Sequence, residues 1–362
     1  MRSTRHFNGK HCHHDHSDGP SGTIGRDTTT GMSPTLDTTR RLPDPSVNAD
    51  DASHVPSPYD PVEAPAGEAI EKYIRTPSRL SDLKALTKPR ITRMVVITAS
   101  IGFVFGVDAR SVMPWGIFAI AMLGTALSCM AASVFNQVYE RDTDALMHRT
   151  RNRPLAADRV SVKTAMWLGI ALTLAGLGVL LATGLFLAAA FCAFTIASYA
   201  LIYTPMKRVS TLALIIGAVP GAMPPVIGFA ASTGSVGPAA ALLFAIMFVW
   251  QVPHFLAIAW LYREDYARAD LAMLPVIDPS GVRTFRQTLI GCLLLLPVGL
   301  LPSSMGIAGR AYFAVAAVCG LGFLAFAVAL VLRPTRGHAR RLFFASLVYL
   351  PVVLIAMMVD RM

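Results

Sequence analysis

Charge is scarce in this chain. Only 15% of its 362 residues are Asp, Glu, Lys or Arg, whereas a soluble domain carries about 25%. The shortage is uneven. Residues 1–90 are polar, and residues 91–362 are mostly long apolar runs. That pattern excludes an ordinary soluble domain and predicts an integral membrane protein with a polar tail. Paired cysteines are also missing. Cys12, Cys129, Cys192, Cys292 and Cys319 show no paired spacing, and four of them sit inside apolar runs as small buried side chains. No apolar segment follows Met1 closely enough for a signal peptide, and the tail, basic at its very start, is too acidic afterwards for a transit peptide. The net charge of +10 raises the question of nucleic acid. It is answered by position: beyond residue 90, most of the Lys and Arg lie in short loops between apolar runs, where a membrane orientation signal accounts for them.

Residues 1–80 are rich in Ser, Thr, Pro, Asp and Gly and cannot bury enough apolar surface to fold, so they are expected to be a disordered tail. The stretch HCHHDH, His11 to His16, has metal-binding composition, but a floppy tail imposes no coordination geometry. Residues 81–362 form the expected membrane domain.

A membrane helix needs roughly 20 mostly apolar residues. Nine segments qualify, at 91–108, 115–138, 164–183, 185–204, 211–231, 238–261, 285–304, 309–332 and 341–359. In lipid every backbone polar group must be satisfied within its own segment, so the expected class is all-α, a nine-helix bundle around a central cavity. The loops at 139–163, 205–210, 262–284 and 333–340 hold most of the Lys and Arg beyond residue 90. The other side has little beyond Arg110, Arg310 and Arg361. The positive-inside rule therefore puts the tail and the four basic loops in the cytoplasm, and nine spans put the C-terminus outside.

Topology accounts for the arginines of NQVYERDTDALMHRTRNRP (136–154) but not for its acids. Asn136, Glu140 and Asp144 are spaced i, i+4, i+8, which places all three on one helix face. Such hard oxygen donors suit Mg²⁺, which bridges to substrate phosphates. Arg149, Arg151 and Arg153 follow at once and suit phosphate oxygens. The bland alternative is a solvated loop with compensating acids. After the sixth span the theme recurs in Glu264, Asp265 and Asp270, with Arg263 and Arg268 among them. Two acidic clusters could face each other across a cavity, each holding a metal ion on a shared diphosphate. Trp250, Gln251 and His254 lie inside the sixth span. An ionisable group there marks function, as a polar wall of the site or a substrate contact, unless it is glue between helices. The fifth span's GAVPGAMPP reads either as close helix packing or as a kinked cavity wall.

LTKPRIT at 86–92, NQVYERDTDALMHRTRNRPL at 136–155, YTPMKRVS at 203–210, GAVPGAMPPVIG at 217–228, WQVPHF at 250–255 and DYARADLAMLP at 265–275 stand in order along the chain. In these stretches the chain resembles the intramembrane prenyltransferases of the UbiA superfamily. RTRNRPL and WQVPHF are similar to its heme-modifying branch. Glu140 stands where that family usually has Asp, and Leu271 to Pro275 depart from its Gly-Ile-Pro-Met-Leu-Pro run. The resemblance implies Mg²⁺ held with a substrate diphosphate by Asn136, Glu140, Asp144 and Asp265, which also form the catalytic set. It implies substrate contacts from Lys88, Arg90, Arg149, Arg153, Tyr203, Lys207, Arg208, His254 and Asp270. The substrates it implies are farnesyl diphosphate and heme b, joined at the heme 2-vinyl group to give heme O in the cell inner membrane. Heme A synthase or a terminal-oxidase assembly is the implied protein partner, and nucleic acid is not. An aromatic acid acceptor for quinone synthesis, and a polytopic transporter, are the competing readings. The transporter would need midspan carboxylates and paired broken helices, whereas the acids here gather at one face.

Overall fold

The computed structural model describes residues 78–108 and 110–361. The expected tail, its histidine run and Cys12 lie outside the described residues. Among those described there are helices and no strands; one isolated bridge joins Ala308 and Arg361. Helix α1 is Arg79–Leu86, capped by the Ser78 side chain, which accepts from the Ser81 N–H. Then come α2 (Pro89–Gly106), α3 (Trp115–Tyr139), the short α4 (Arg141–Leu146), α5 (Val162–Ala182) and α6 (Phe186–Met206). They are followed by α7 (Ala213–Thr233), α8 (Pro238–Leu261), the short α9 (Arg263–Arg268) and α10 (Leu274–Ile277), α11 (Val282–Ser304), α12 (Arg310–Leu332) and α13 (Arg336–Val359). Nine of the described helices are long and apolar enough to cross a membrane: α2, α3, α5, α6, α7, α8, α11, α12 and α13. The expected spans agree within a few residues, so the chain is a multi-pass membrane protein.

Where the helices end follows from local chemistry. Ser161 caps α5 by accepting from the Thr164 N–H, and Thr335 caps α13 by accepting from the His338 N–H. The turn between α5 and α6 needs a left-handed residue, and Gly184 supplies it at φ +76.

Helix α7 is the central post, buried along most of its length. It passes so close to α2 that a Cβ on Gly102 would lie 1.9 Å from the Pro225 carbonyl oxygen. One on Gly228 would lie 1.8 Å from that of Ala99. In lipid, helices associate by such close packing through small residues. Pro220, Pro224 and Pro225 sit inside an unbroken helix, and Pro225 of GAVPGAMPP packs against α2. Helix α6 winds as a π-helix over Ser198–Tyr203, a feature frequent at functional sites. At the face opposite the basic loops, the Arg361 guanidinium donates to the carbonyls of Val104 and Val107 at 2.9 and 2.8 Å, fastening the end of α13 to the end of α2.

Candidate active site

On the basic face, α3 runs out at Tyr139 and Glu140 is its C-cap. The helical register nevertheless continues. The Glu140 N–H donates to the Asn136 carbonyl at 2.9 Å and the Asp144 N–H to the Glu140 carbonyl at 2.7 Å. Asn136, Glu140 and Asp144 therefore share one face across a helix break, as their spacing predicts.

Three cations from three other segments meet that face. Lys88 Nζ donates to Asn136 Oδ1 at 2.6 Å. Lys207 Nζ donates to Glu140 Oε1 at 2.6 Å. Arg153 Nη1 lies 2.6 Å from Asp144 Oδ2 and 4.0 Å from Glu140 Oε2. Tyr203, from the π-helical turn, lies under Lys207, whose Nζ is 4.3 Å from the ring centroid. Gly217 leaves room for that ring, since a Cβ there would sit 2.4 Å from it. Thr204, which sequence reasoning missed, accepts from Asn136 Nδ2 at 3.3 Å and donates to the Tyr199 carbonyl at 2.7 Å. Its place beside Tyr203 in YTPMKR was the available signal.

Burial makes these charges consequential. Glu140 would be pushed up by burial, but Lys207 and Lys88 outweigh it and hold the carboxyl below its usual value. Asp144 goes the other way: burial raises it, Glu140 adds repulsion, and Arg153 offsets only part. Lys88 is pulled down to about 7 by burial, with Arg153 and Lys207 pushing the same way against Glu140 and Asp144. Lys207 is lowered by burial but held well above 10.5 by Tyr203 and Glu140.

Lys88, Arg90, Arg149 and Arg153 line a cleft of about 490 Å³, with Gln137, Asn152 and Pro154 among its other walls. Four expected phosphate-binding side chains thus share one cavity. An apolar groove of about 400 Å³ lies between α3, α5 and α6.

Other expected residues stand apart. Asp265 is buried and pairs with Arg268 three positions on; its Oδ1 also accepts from the His148 N–H at 3.3 Å. That bond, and the stacking of Arg149 against Tyr262 at 4.9 Å, join the two acidic loops. Among the described residues no three His, Cys, Asp or Glu side chains stand close enough to form a metal cluster, so Asp265 is beside the first loop rather than grouped with Glu140 and Asp144. Asp270 is exposed in a left-handed conformation at φ +49. Arg208 turns to the surface, donating to the Tyr139 carbonyl at 3.3 Å. His254 bonds Ser346 at 2.7 Å and stacks on Trp250 at 4.6 Å, tying α8 to α13. Ser346 gave no signal in the sequence.

The donors fit Mg²⁺ with a diphosphate. Asp144 Oδ1 is buried without a hydrogen-bond partner, an oxygen that the chain itself leaves unsatisfied. It stands with the oxygens of Glu140 and Asn136, the hard donors such an ion takes.

The nine apolar spans among the described residues thus carry a one-sided mouth of carboxylates and cations. The UbiA prenyltransferase family matches residues 95–348, and the chain belongs to it. Among its relatives, the protoheme IX farnesyltransferase of Solibacter usitatus is 43% identical over 78% of this chain and 99% of its own length. That of Koribacter versatilis is 42% identical over 78% and 94%. The fold is shared with a UbiA homolog from Archaeoglobus fulgidus bound to GPP and Mg²⁺, at 17% identity and a TM-score of 0.56 over 76% of this chain and 99% of that one. A structure from work on digeranylgeranylglyceryl phosphate synthase in membranes matches with a TM-score of 0.66 at 16% identity, over 78% and 98%.

Proposed function

We propose that the chain transfers a farnesyl group from farnesyl diphosphate to the 2-vinyl group of heme b, with water completing the addition, to give heme O and diphosphate. The donor half rests on one observation: Lys88, Arg153 and Lys207 converge on Asn136, Asp144 and Glu140 beside a basic cleft. The acceptor half rests on relatives that are above 40% identical over nearly their whole length and share the name protoheme IX farnesyltransferase.

When bound, Mg²⁺ would neutralise the leaving diphosphate. Asn136, Glu140 and Asp144 would hold it, with Asp265 contributing from the adjoining loop. Lys88, Arg153 and Lys207, which here bond Asn136, Asp144 and Glu140, would be free to donate to phosphate oxygens where those three side chains held the ion. Arg90 and Arg149 add charge at the cleft rim, and Tyr203 keeps Lys207 aimed. Loss of diphosphate leaves an allylic cation, and the apolar spans around the site keep water from it until the vinyl carbon has attacked. The vinyl π electrons form the new carbon–carbon bond, and water captures the resulting cation with loss of a proton.

The basic face is taken as cytoplasmic, with the tail on that side, the C-terminus outside and the protein in the cell inner membrane. Handing the product to heme A synthase or to a terminal-oxidase assembly follows from this reading. Heme extracted from a bacterial host lacking its own enzyme should gain the mass of one farnesyl group plus one hydroxyl when this chain is expressed. Prenylated 4-hydroxybenzoate with unchanged heme would overturn the acceptor assignment.

A further inference from the structure

The basic cleft has two walls from different parts of the chain. Lys88 and Arg90 stand where α2 begins, and Arg149 and Arg153 stand in the loop after α4. Lys88 adopts a left-handed backbone at φ +46, unfavourable for a side chain of its kind, so its position has to be imposed from outside. Asp82 lies six positions before Lys88, and Arg159 lies six after Arg153. Asp82 is 4% exposed, and it accepts Arg159 through a fork. Nε donates to both carboxylate oxygens at 3.1 Å and Nη2 to Oδ1 at 3.0 Å. Arg159 Nη2 also donates to the carbonyl of Asn152, a cleft residue, at 2.9 Å.

We propose that Asp82 and Arg159 are positioning residues that set the width of the cleft, and so its affinity for a metal–diphosphate rather than the rate of bond breaking. The proposal rests on the diphosphate reading of the cleft. A planar guanidinium bonded through two nitrogens fixes direction as well as distance, which an ammonium cannot do. The same two segments are also held by other means. Gln137 Nε2 donates to the Leu86 carbonyl at 2.8 Å. Leu86, Val134, Leu155 and Ala165 form a small apolar cluster there. Loss of the fork should therefore leave the protein folded with its cleft walls out of register.

The test uses the full chain in lipid nanodiscs, with inorganic diphosphate and Mg²⁺ titrated by calorimetry. Turnover is measured on the same samples. Asp82→Asn and Arg159→Lys should each weaken diphosphate binding about tenfold and raise KM for the allylic diphosphate to match, with kcat within about threefold. KM for heme should stay unchanged. Arg159→Lys should be nearly as damaging as Arg159→Met, because geometry and not charge is lost. Unchanged diphosphate affinity would overturn the proposal. So would a parallel loss of kcat, heme KM and melting temperature, which marks a general structural role. If Asp82→Asn does not fold, Arg159→Lys keeps the charge and still decides. No diphosphate binding by the unaltered chain would instead bring down the diphosphate reading, and this proposal with it.

Discussion

After α3 the chain carries Glu140 and Asp144; after α8 it carries Glu264, Asp265 and Asp270. The two segments have similar composition and stand on the same face, yet their environments differ. In the first, the Glu140 and Asp144 side chains are 12% and 1% exposed, and each meets a cation, Lys207 in one case from far along the chain. In the second, only Asp265 is buried, and its cation is Arg268 on the same short helix. Glu264 is 67% exposed and faces Arg336 at 3.9 Å. Solvated pairs of that kind contribute about 0–1 kcal/mol. Stranding one partner of a buried pair costs roughly 3–5 kcal/mol. The difference teaches that acids become a site when the fold brings distant cations and burial to them.

The largest expected effect tests that ranking directly. Asp144→Asn should lower turnover on the order of a thousandfold, the scale of losing electrostatic stabilisation of developing charge, and, because it leaves Arg153 without its carboxylate, should also lower the melting temperature. Chelating Mg²⁺ should abolish turnover and its return restore it. Asp270→Asn should stay within about twofold, as for a solvated surface group. Equal losses at 144 and 270 would erase the distinction between the loops.

Asp265 falls between. It belongs to the second loop, yet its carboxylate reaches the first through the His148 N–H. Asp265→Asn should cost about 10- to 100-fold in turnover, the range for groups supporting a metal site. A loss matching that of Asp144→Asn would promote it to an equal ligand, and no loss would confine the site to the first loop.

The cations sharpen the comparison next. Lys207→Met strands Glu140, so thermal unfolding should report about 3 kcal/mol of lost stability, and KM for the diphosphate should rise by about tenfold or more. Arg268→Met in the second loop removes a cation that is 42% exposed, so its stability change should stay under about 1 kcal/mol.

Much of this was legible in the sequence, because a bilayer permits few solutions. Twenty-residue apolar runs fix nine spans, and basic loops mark one face. Helical spacing put Asn136, Glu140 and Asp144 together, and the register holds even though α3 breaks at Glu140. The rest depends on segments that pattern cannot pair. Nothing in the sequence joins Asp82 to Arg159, Lys207 to Glu140 or His254 to Ser346, since each contact links residues 67 to 92 positions apart. Arg208 shows the limit well. Beside Lys207 it looks equivalent, yet a helical end turns one cation inward and the other outward to Tyr139.

The smallest effect concerns protons, and it again separates the regions. Lys88 is pulled to about 7 from the ordinary lysine value of 10.5 by burial, with Arg153 and Lys207 adding to it and Glu140 and Asp144 opposing. Between those two values the unfolded chain binds a proton that the folded chain does not. Stability should therefore rise with pH across that window, and Lys88→Met should rise less. A bound diphosphate reverses the balance, because an anion beside Lys88 favours its charged form. At pH 8 the binding of Mg²⁺ and diphosphate should take up about one proton, the balance required by linkage. Calorimetry in two buffers of different ionisation enthalpy measures this directly. Lys88→Met should lose the uptake while Arg268→Met keeps it. Equal proton uptake in both variants would mean that the titrating group lies elsewhere, and that Lys88 meets the phosphate already charged.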